Sequence, residues 1–98
     1  MMTIEKKVNG DTVELCLNGW MDTQSAPELA AALAALEPGT KQLIFNMSGL
    51  EYTSSAGIRQ IVAAHKKMKG ALTLTHLSAE IMDLLHMTAL DKKLHIEP

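Results

Sequence analysis

Gln42-Leu43-Ile44-Phe45-Asn46-Met47-Ser48-Gly49-Leu50-Glu51-Tyr52-Thr53-Ser54-Ser55-Ala56-Gly57-Ile58 is the stretch on which the fold turns. Its opening, Gln42 to Phe45, carries a short continuous apolar run in Leu43, Ile44 and Phe45, the pattern of a strand covered on both faces and therefore central and parallel. The strand is expected to end at Asn46. Met47 to Ser55 is polar, with Gly49 and the consecutive hydroxyls Thr53, Ser54 and Ser55, and after it Ile58, Ile61, Val62 and Met68 recur at helical spacing. A loop feeding a helix N-terminus is the expected arrangement. Lys66, Lys67 and Lys69 fall in the last turns of that helix, where cations complement the macrodipole, and Gly70 closes it.

Outward from this stretch the same two periods alternate. Upstream, Ile4, Lys6 and Val8 alternate with Thr3, Glu5 and Lys7. Val13, Leu15 and Leu17 do the same after Asn9-Gly10-Asp11, a hairpin with turn chemistry between its arms. Ser25-Ala26-Pro27-Glu28 has the form of a capping box, and Leu29, Ala32, Leu33 and Leu36 keep one face before Glu37-Pro38-Gly39 stops the helix. Downstream, Leu72 and Leu74 alternate with Thr73 and Thr75. Ser78 caps a short helix carrying Ile81, Leu84 and Leu85 inward, and Leu94 and Ile96 make a short last strand. The order ββαβαβα(β) predicts one α/β domain over residues 1–98. Its sheet is mixed and mostly parallel, of four to five strands, with about three to four helices sharing its faces.

Composition narrows the function classes. Nine basic against eleven acidic residues give a formal charge of −2, and three aromatics leave little for base stacking, so direct nucleic-acid binding is excluded. No run approaches the roughly 18 apolar residues of a membrane span, and residues 1–19 mix charged with apolar positions, unlike a signal peptide; the cytoplasm is the expected compartment. Cys16 is the one cysteine, which rules out an internal disulfide, and the four scattered His offer no metal-ligand spacing. No cofactor is expected. His65 lies ten residues after Ser55, about 15 Å along a helix axis, too far to serve it as a base, and no Gly-x-Ser-x-Gly elbow is present. The chain is therefore expected not to be an enzyme.

What remains is the hydroxyl cluster. A helix N-terminus offers free amides and the positive dipole end, a setting that favours an anion such as a phosphoserine; equally, a serine there serves simply as the helix cap. Met21, Met47 and Met87 either fill core gaps or enrich an adaptable surface. Trp20, after the second strand, either closes the core edge or anchors a partner.

Leu17-Asn18-Gly19-Trp20-Met21-Asp22 with Ala26-Pro27-Glu28-Leu29, then Phe45 to Leu50 running into Tyr52 to Ile58, resembles the STAS family, and Leu85, Thr88 to Lys92 and Ile96 resemble its closing helix and strand. That family includes bacterial anti-sigma factor antagonists and the cytoplasmic domains of sulfate transporters. The resemblance implies a non-enzymatic partner-switching regulator of transcription that binds an anti-sigma factor with serine kinase activity. It implies a serine phosphatase as a second partner. Phosphorylation at the start of the second long helix would release the kinase. Family antagonists carry the phosphoacceptor just before the helix glycine, where this chain has Ala56 before Gly57, so the candidate acceptors are Ser55 and, second to it, Ser54. Asn46 stands where the family has Asp. The resemblance assigns partner binding to Met21, Asp22, Met47, Ser48, Tyr52, Thr53, Ser54, Ser55, Ala56, Ile58 and Arg59. The alternative is a STAS subunit of a lipid or anion transport complex, and a small-ligand sensor is a third reading.

Overall fold

The computed structural model describes residues 2–97. Two antiparallel strands, β1 (Met2–Asn9) and β2 (Thr12–Met21), open the chain, and α1 (Ala26–Ala34) leads to β3 (Gln42–Thr53). Then come α2 (Ser55–Lys67), β4 (Leu72–Thr75), α3 (Ala79–Met87), a 3-10 turn at Leu90–Lys92 and β5 (His95–Glu97). The β1–β2 turn holds two residues, and the positive φ of Gly10 (+64°) meets the requirement of the first position of a II′ turn.

The strands lie in the order β1-β2-β3-β4-β5, with β1 antiparallel to β2 and each later neighbour parallel. β3 is central and parallel, as its apolar run predicts. The expectation of helices on both faces fails. Each parallel strand is laid beside the last in one direction, and right-handed crossovers in such an order put every helix on the same side. The core forms there: Val13, Leu15 and Leu17 of β2, Leu43, Phe45 and Met47 of β3 and Leu72 and Leu74 of β4 face Leu29, Leu33, Ile61, Ile81 and Leu85 of the helices. Burying each such side chain contributes about 1.5–3 kcal/mol. The alternate residues form a helix-free sheet face, on which Glu5, Lys7, Glu14, Cys16, Gln42, Ile44, Asn46 and Thr75 are half-buried or exposed and Thr73 is buried. It is stitched by hydrogen bonds from Asn46 Nδ2 to Glu14 Oε2 (3.1 Å) and from Gln42 Nε2 to Thr73 Oγ1 (3.1 Å).

A second correction concerns length. β3 does not stop at Asn46 but runs on to Thr53. It bulges against β2 twice: Cys16 pairs with Asn46 but Asn18 with Gly49, and Gly19 pairs with Leu50 but Trp20 with Tyr52. Each bulge inserts one residue and turns the inward-facing set by one position, so burial falls on Leu43, Phe45, Met47, Leu50 and Thr53. At this crossing Gly49 lies against the side chain of Asn18, whose amide would have to move aside for a Cβ there.

The helix ends follow local chemistry. α2 closes with Lys69 and Gly70 in the left-handed region and with Gly70 N donating to His65 O at 3.0 Å. Lys67 Nζ donates to Leu33 O at 2.7 Å, setting a cation on the C-terminal end of α1. The capping box expected at Ser25 does not form, since Ser25 is itself helical (φ −93°, ψ −20°) and makes no cap bond. Asp22 organises that turn instead.

Candidate functional site

The sheet's C-terminal edge brings together the ends of β2 and β3 and the start of α2. Ser54 N donates to Met21 O at 2.8 Å, so the chain leaving β3 stays tied to the end of β2. Ser54 is extended (φ −89°, ψ 175°), and its Oγ accepts from Gly57 N at 3.4 Å, the N-cap of α2. Thr53 Oγ1 donates to Ser54 O at 3.2 Å. The first turn presses hard on this end of the sheet: a Cβ on Gly57 would lie 2.3 Å from Thr53 Oγ1 and 2.8 Å from Met21 Cγ.

Ser54 and Ser55 are placed differently at the start of α2. Ser54 is half-buried and occupied as the cap; Ser55 is the first helical residue and exposed, and no hydrogen bond among the described residues engages its hydroxyl. The amides of Ser55 and Ala56 have no intrahelical partner, so the positive end of the helix is presented beside Ser55. Arg59 is exposed one turn further on, at the i+4 spacing that shares a helix face.

Several residues assigned to partner binding lie elsewhere. Met21 and Met47 are 0% exposed and Thr53 is 2% exposed, so none of the three reaches a partner. They belong to the core because the bulged β3 continues through what was expected to be a loop; Met21 and Thr53 act from beneath, as the bed for Gly57. Asp22 is half-buried, and its Oδ1 accepts from Gln24 N (3.0 Å), Ser25 N (2.9 Å) and Ser25 Oγ (2.9 Å). Those bonds, the backbone amide of Ser25 foremost, hold its carboxyl below the usual range. Ser48, Tyr52, Ser55 and Arg59 are exposed, and Ser54, Ala56 and Ile58 half-buried.

Absent from the expected binding set is Trp20. It is 53% exposed, and its ring lies 5.7 Å from that of Tyr52, itself 46% exposed. Trp20 and Tyr52 are directly opposite across β2 and β3, one residue short of the strand ends at Met21 and Thr53. This settles the choice left open for Trp20 against closure of the core edge. The alternation Leu15, Leu17, then Met21 inward was the available signal, with Trp20 on the opposite parity from Met21. Tyr52 of this exposed aromatic pair lies two residues before Ser54, the cap of α2.

Among the described residues, none is hydrogen-bonded to the Ser55 hydroxyl as a base would be. His65 shares α2 with it, ten residues along. Among the described residues no group of three or more His, Cys, Asp or Glu converges on a point. A cleft of about 450 Å³ lies apart from Ser55, between Leu77, Met82, Asp91, Ile96 and Glu97. No helix among the described residues is long and apolar enough to cross a membrane.

Comparison with known proteins follows the same lines. BtrV of Bordetella bronchiseptica, named as an anti-sigma factor antagonist, is 28% identical over 86 residues, 84% of this chain and 73% of that protein. The crystal structure of an anti-sigma factor antagonist from Mycobacterium paratuberculosis superposes with a TM-score of 0.89 at 21% identity, over 100% of this chain and 86% of that one. A sulfate transporter family protein from Wolinella succinogenes superposes with a TM-score of 0.78 at 18% identity, over 93% of this chain and 80% of that one. At such identities the two structures share the fold alone. The STAS domain model matches residues 3–98, and with that match the chain belongs to the STAS domain family.

Proposed function

We propose that this protein is a cytoplasmic anti-sigma factor antagonist that acts by binding, without chemistry of its own. Its partner is an anti-sigma factor with serine kinase activity, docked on the surface made by Trp20, Tyr52, Ser55, Ile58 and Arg59. The observation that carries the reading is the division of labour at the start of α2: Ser54 is committed to the cap, and Ser55 stands exposed and unbonded beside free amides. The name of the relative BtrV supports the same role. Sequestering the anti-sigma factor frees a sigma factor, which gives the protein its effect on transcription.

Regulation follows from one covalent step. The partner's ATP supplies its γ-phosphoryl group to Ser55 Oγ, the hydroxyl proton passes to a base on the kinase, and ADP leaves. The product carries about −1.5 to −2 charges at pH 7, which the helix N-terminus and Arg59 accommodate. The fold is therefore retained. At the interface the balance reverses, because enclosing a dianion against the apolar surface of Ala56 and Ile58 costs several kcal/mol, a thousandfold or more in affinity. A serine phosphatase would reset the state.

A second reading is a STAS subunit of a lipid or anion transport complex, favoured by Ala56 at the family's usual acceptor position and by the fold shared with the Wolinella protein. The two part on covalent chemistry. Incubation with an anti-sigma serine kinase from the same genome and Mg-ATP, followed by tandem mass spectrometry, should place phosphate on Ser55. Phosphate on Ser54 alone moves the acceptor, and neither serine modified with binding intact makes the chain a permanent subunit.

A further inference from the structure

β1 is an edge strand of eight residues, about 27 Å long, paired to β2 along its whole length with neither a bulge nor a proline. Its other side faces no strand, since β1 stands first in the sheet order. Natural edges are usually blunted by bulges, prolines or charges, lysine above all, and β1 carries one such charge on its helix side in Lys6. Here the side chains are ordered so that the strand complements itself. Thr3, Glu5 and Lys7 point to the helix-free face, and Ile4, Lys6 and Val8 to the helix side, where Ile4 packs on the core and Val8 is 62% exposed.

We propose that two copies of this chain associate through β1, antiparallel, about a two-fold axis passing between the two Lys6 residues. Such an axis stands perpendicular to the sheet and keeps like faces together, so the sum of paired residue numbers must be even. Three registers lie near the strand centre. Centring on Glu5 opposes Glu5 to Glu5, and centring on Lys7 opposes Lys7 to Lys7 and sets Lys6 against Val8. Centring on Lys6 sets Glu5 opposite Lys7 twice and Ile4 opposite Val8 twice, against a single Lys6–Lys6 repulsion. Opposite charges and apolar pairs directly across a ladder stabilise it, and like charges destabilise it. In this register Lys7 lies between Glu14 of its own β2 and the second copy's Glu5, and the exposed Val8 is covered by the second copy's Ile4. The product is a continuous ten-stranded sheet with both helix layers on one side. One strand edge is small beside the roughly 1,200–2,000 Å² of stable interfaces, so association is weak and concentration-dependent.

Sedimentation velocity on the full chain from micromolar to millimolar concentration is the test. Wild type should self-associate reversibly. Glu5→Lys or Lys7→Glu alone should weaken association about tenfold by setting like charges opposite twice, and the double swap Glu5→Lys with Lys7→Glu should restore it. Lys6→Thr should strengthen association. Lys6→Cys in a Cys16→Ser background should form an intermolecular disulfide under mild oxidation, because residues directly opposite in an antiparallel pair have Cα atoms about 4.5–5.5 Å apart. Thr3→Cys in the same background should not. A monomer at every concentration in both wild type and Lys6→Thr overturns the proposal. So does association indifferent to the charge reversals, or one that leaves Lys6→Cys unlinked.

Discussion

Replacing Gly57 by Ala adds one methyl group where α2 meets the sheet, and the structure sets its cost. The new Cβ would stand 2.3 Å from Thr53 Oγ1, 2.8 Å from Met21 Cγ and 2.9 Å from Met21 Cε, whereas ordinary carbon contacts lie near 3.5–4.0 Å. Met21 and Thr53 are both buried, so neither can swing into solvent. Overpacking of this kind costs about 1–3 kcal/mol, and alanine's better helix propensity returns at most about 1 kcal/mol. The shortest contact is to a branched side chain close to its own backbone, which puts the net loss at about 1–2 kcal/mol. For a domain of this size that lowers Tm by roughly 5–15 °C. Gly39→Ala is the control, with nothing within 4 Å of its Cβ, and should stay within about 0.5 kcal/mol of wild type. Urea unfolding followed by far-UV circular dichroism measures both, and Thr53→Ala completes a double-mutant cycle. Removing Oγ1 should shrink the Gly57→Ala penalty, with a coupling of about 0.5–1 kcal/mol. A Gly57→Ala protein as stable as wild type, with an additive cycle, would refute the close approach and the placement of Ser55 that depends on it.

Ser54→Ala should cost about 1 kcal/mol through loss of the cap, whereas Ser54→Asp, a competent cap, should melt with wild type; equal losses in both would remove the cap from the account. Ala89 has φ +60°, so Ala89→Gly should relieve about 1–2 kcal/mol of left-handed strain less the added chain entropy, a net gain of about 0.5–1 kcal/mol by the same unfolding assay. His86 Nδ1 lies 2.9 Å from Asp91 Oδ2, and each holds the other charged: the His86 value is raised and the Asp91 value lowered. The pair is therefore strongest between about pH 4 and 6.5, lost upward as His86 deprotonates above its ordinary value and lost downward as Asp91 protonates below its own. An NMR titration should show the raised His86 midpoint, and Asp91→Asn should return it toward about 6.5. Burial and the neighbouring Glu14 push the Cys16 thiol up, so it should alkylate more slowly at neutral pH than a small-molecule thiol; Glu14→Gln should speed it.

The alternation of β2 and the helical spacing of α2 and α3 are legible in sequence because one face of each is buried, so side-chain period and solvent period coincide; in β4 the alternation is one of polarity alone, since Thr73 is buried as well. β3 beyond Asn46 is not. Its bulges after Asn46 and Leu50 break the two-residue period, and Ser48, Gly49 and Glu51 on the outward side give the composition of a loop. That hidden strand explains the misplaced site residues, since Met47 and Thr53 look like loop residues and are core. The single-sided sheet is hidden for another reason: Ile44 makes Leu43 to Phe45 an unbroken apolar run, although its face carries no helix. Ser25 shows the limit of motif reading, where the capping-box spelling is present but Asp22 supplies the stronger turn. The serines at the start of α2 were found from their place before a helix, but the sequence left cap and free hydroxyl unassigned; the geometry around Gly57 N assigns Ser54 to the cap.

Isothermal titration of the kinase partner with unphosphorylated protein and with protein stoichiometrically phosphorylated at Ser55 bears most directly on the central claim. The phosphorylated form should bind a thousandfold or more weakly, with an unchanged far-UV spectrum and melting curve, and Ser55→Ala should bind as the unmodified protein does even after exposure to kinase and ATP. Equal affinity of the two forms would contradict a switch at Ser55, and a phosphorylated form that loses affinity only because it has unfolded would contradict the claim that the cost falls on the interface.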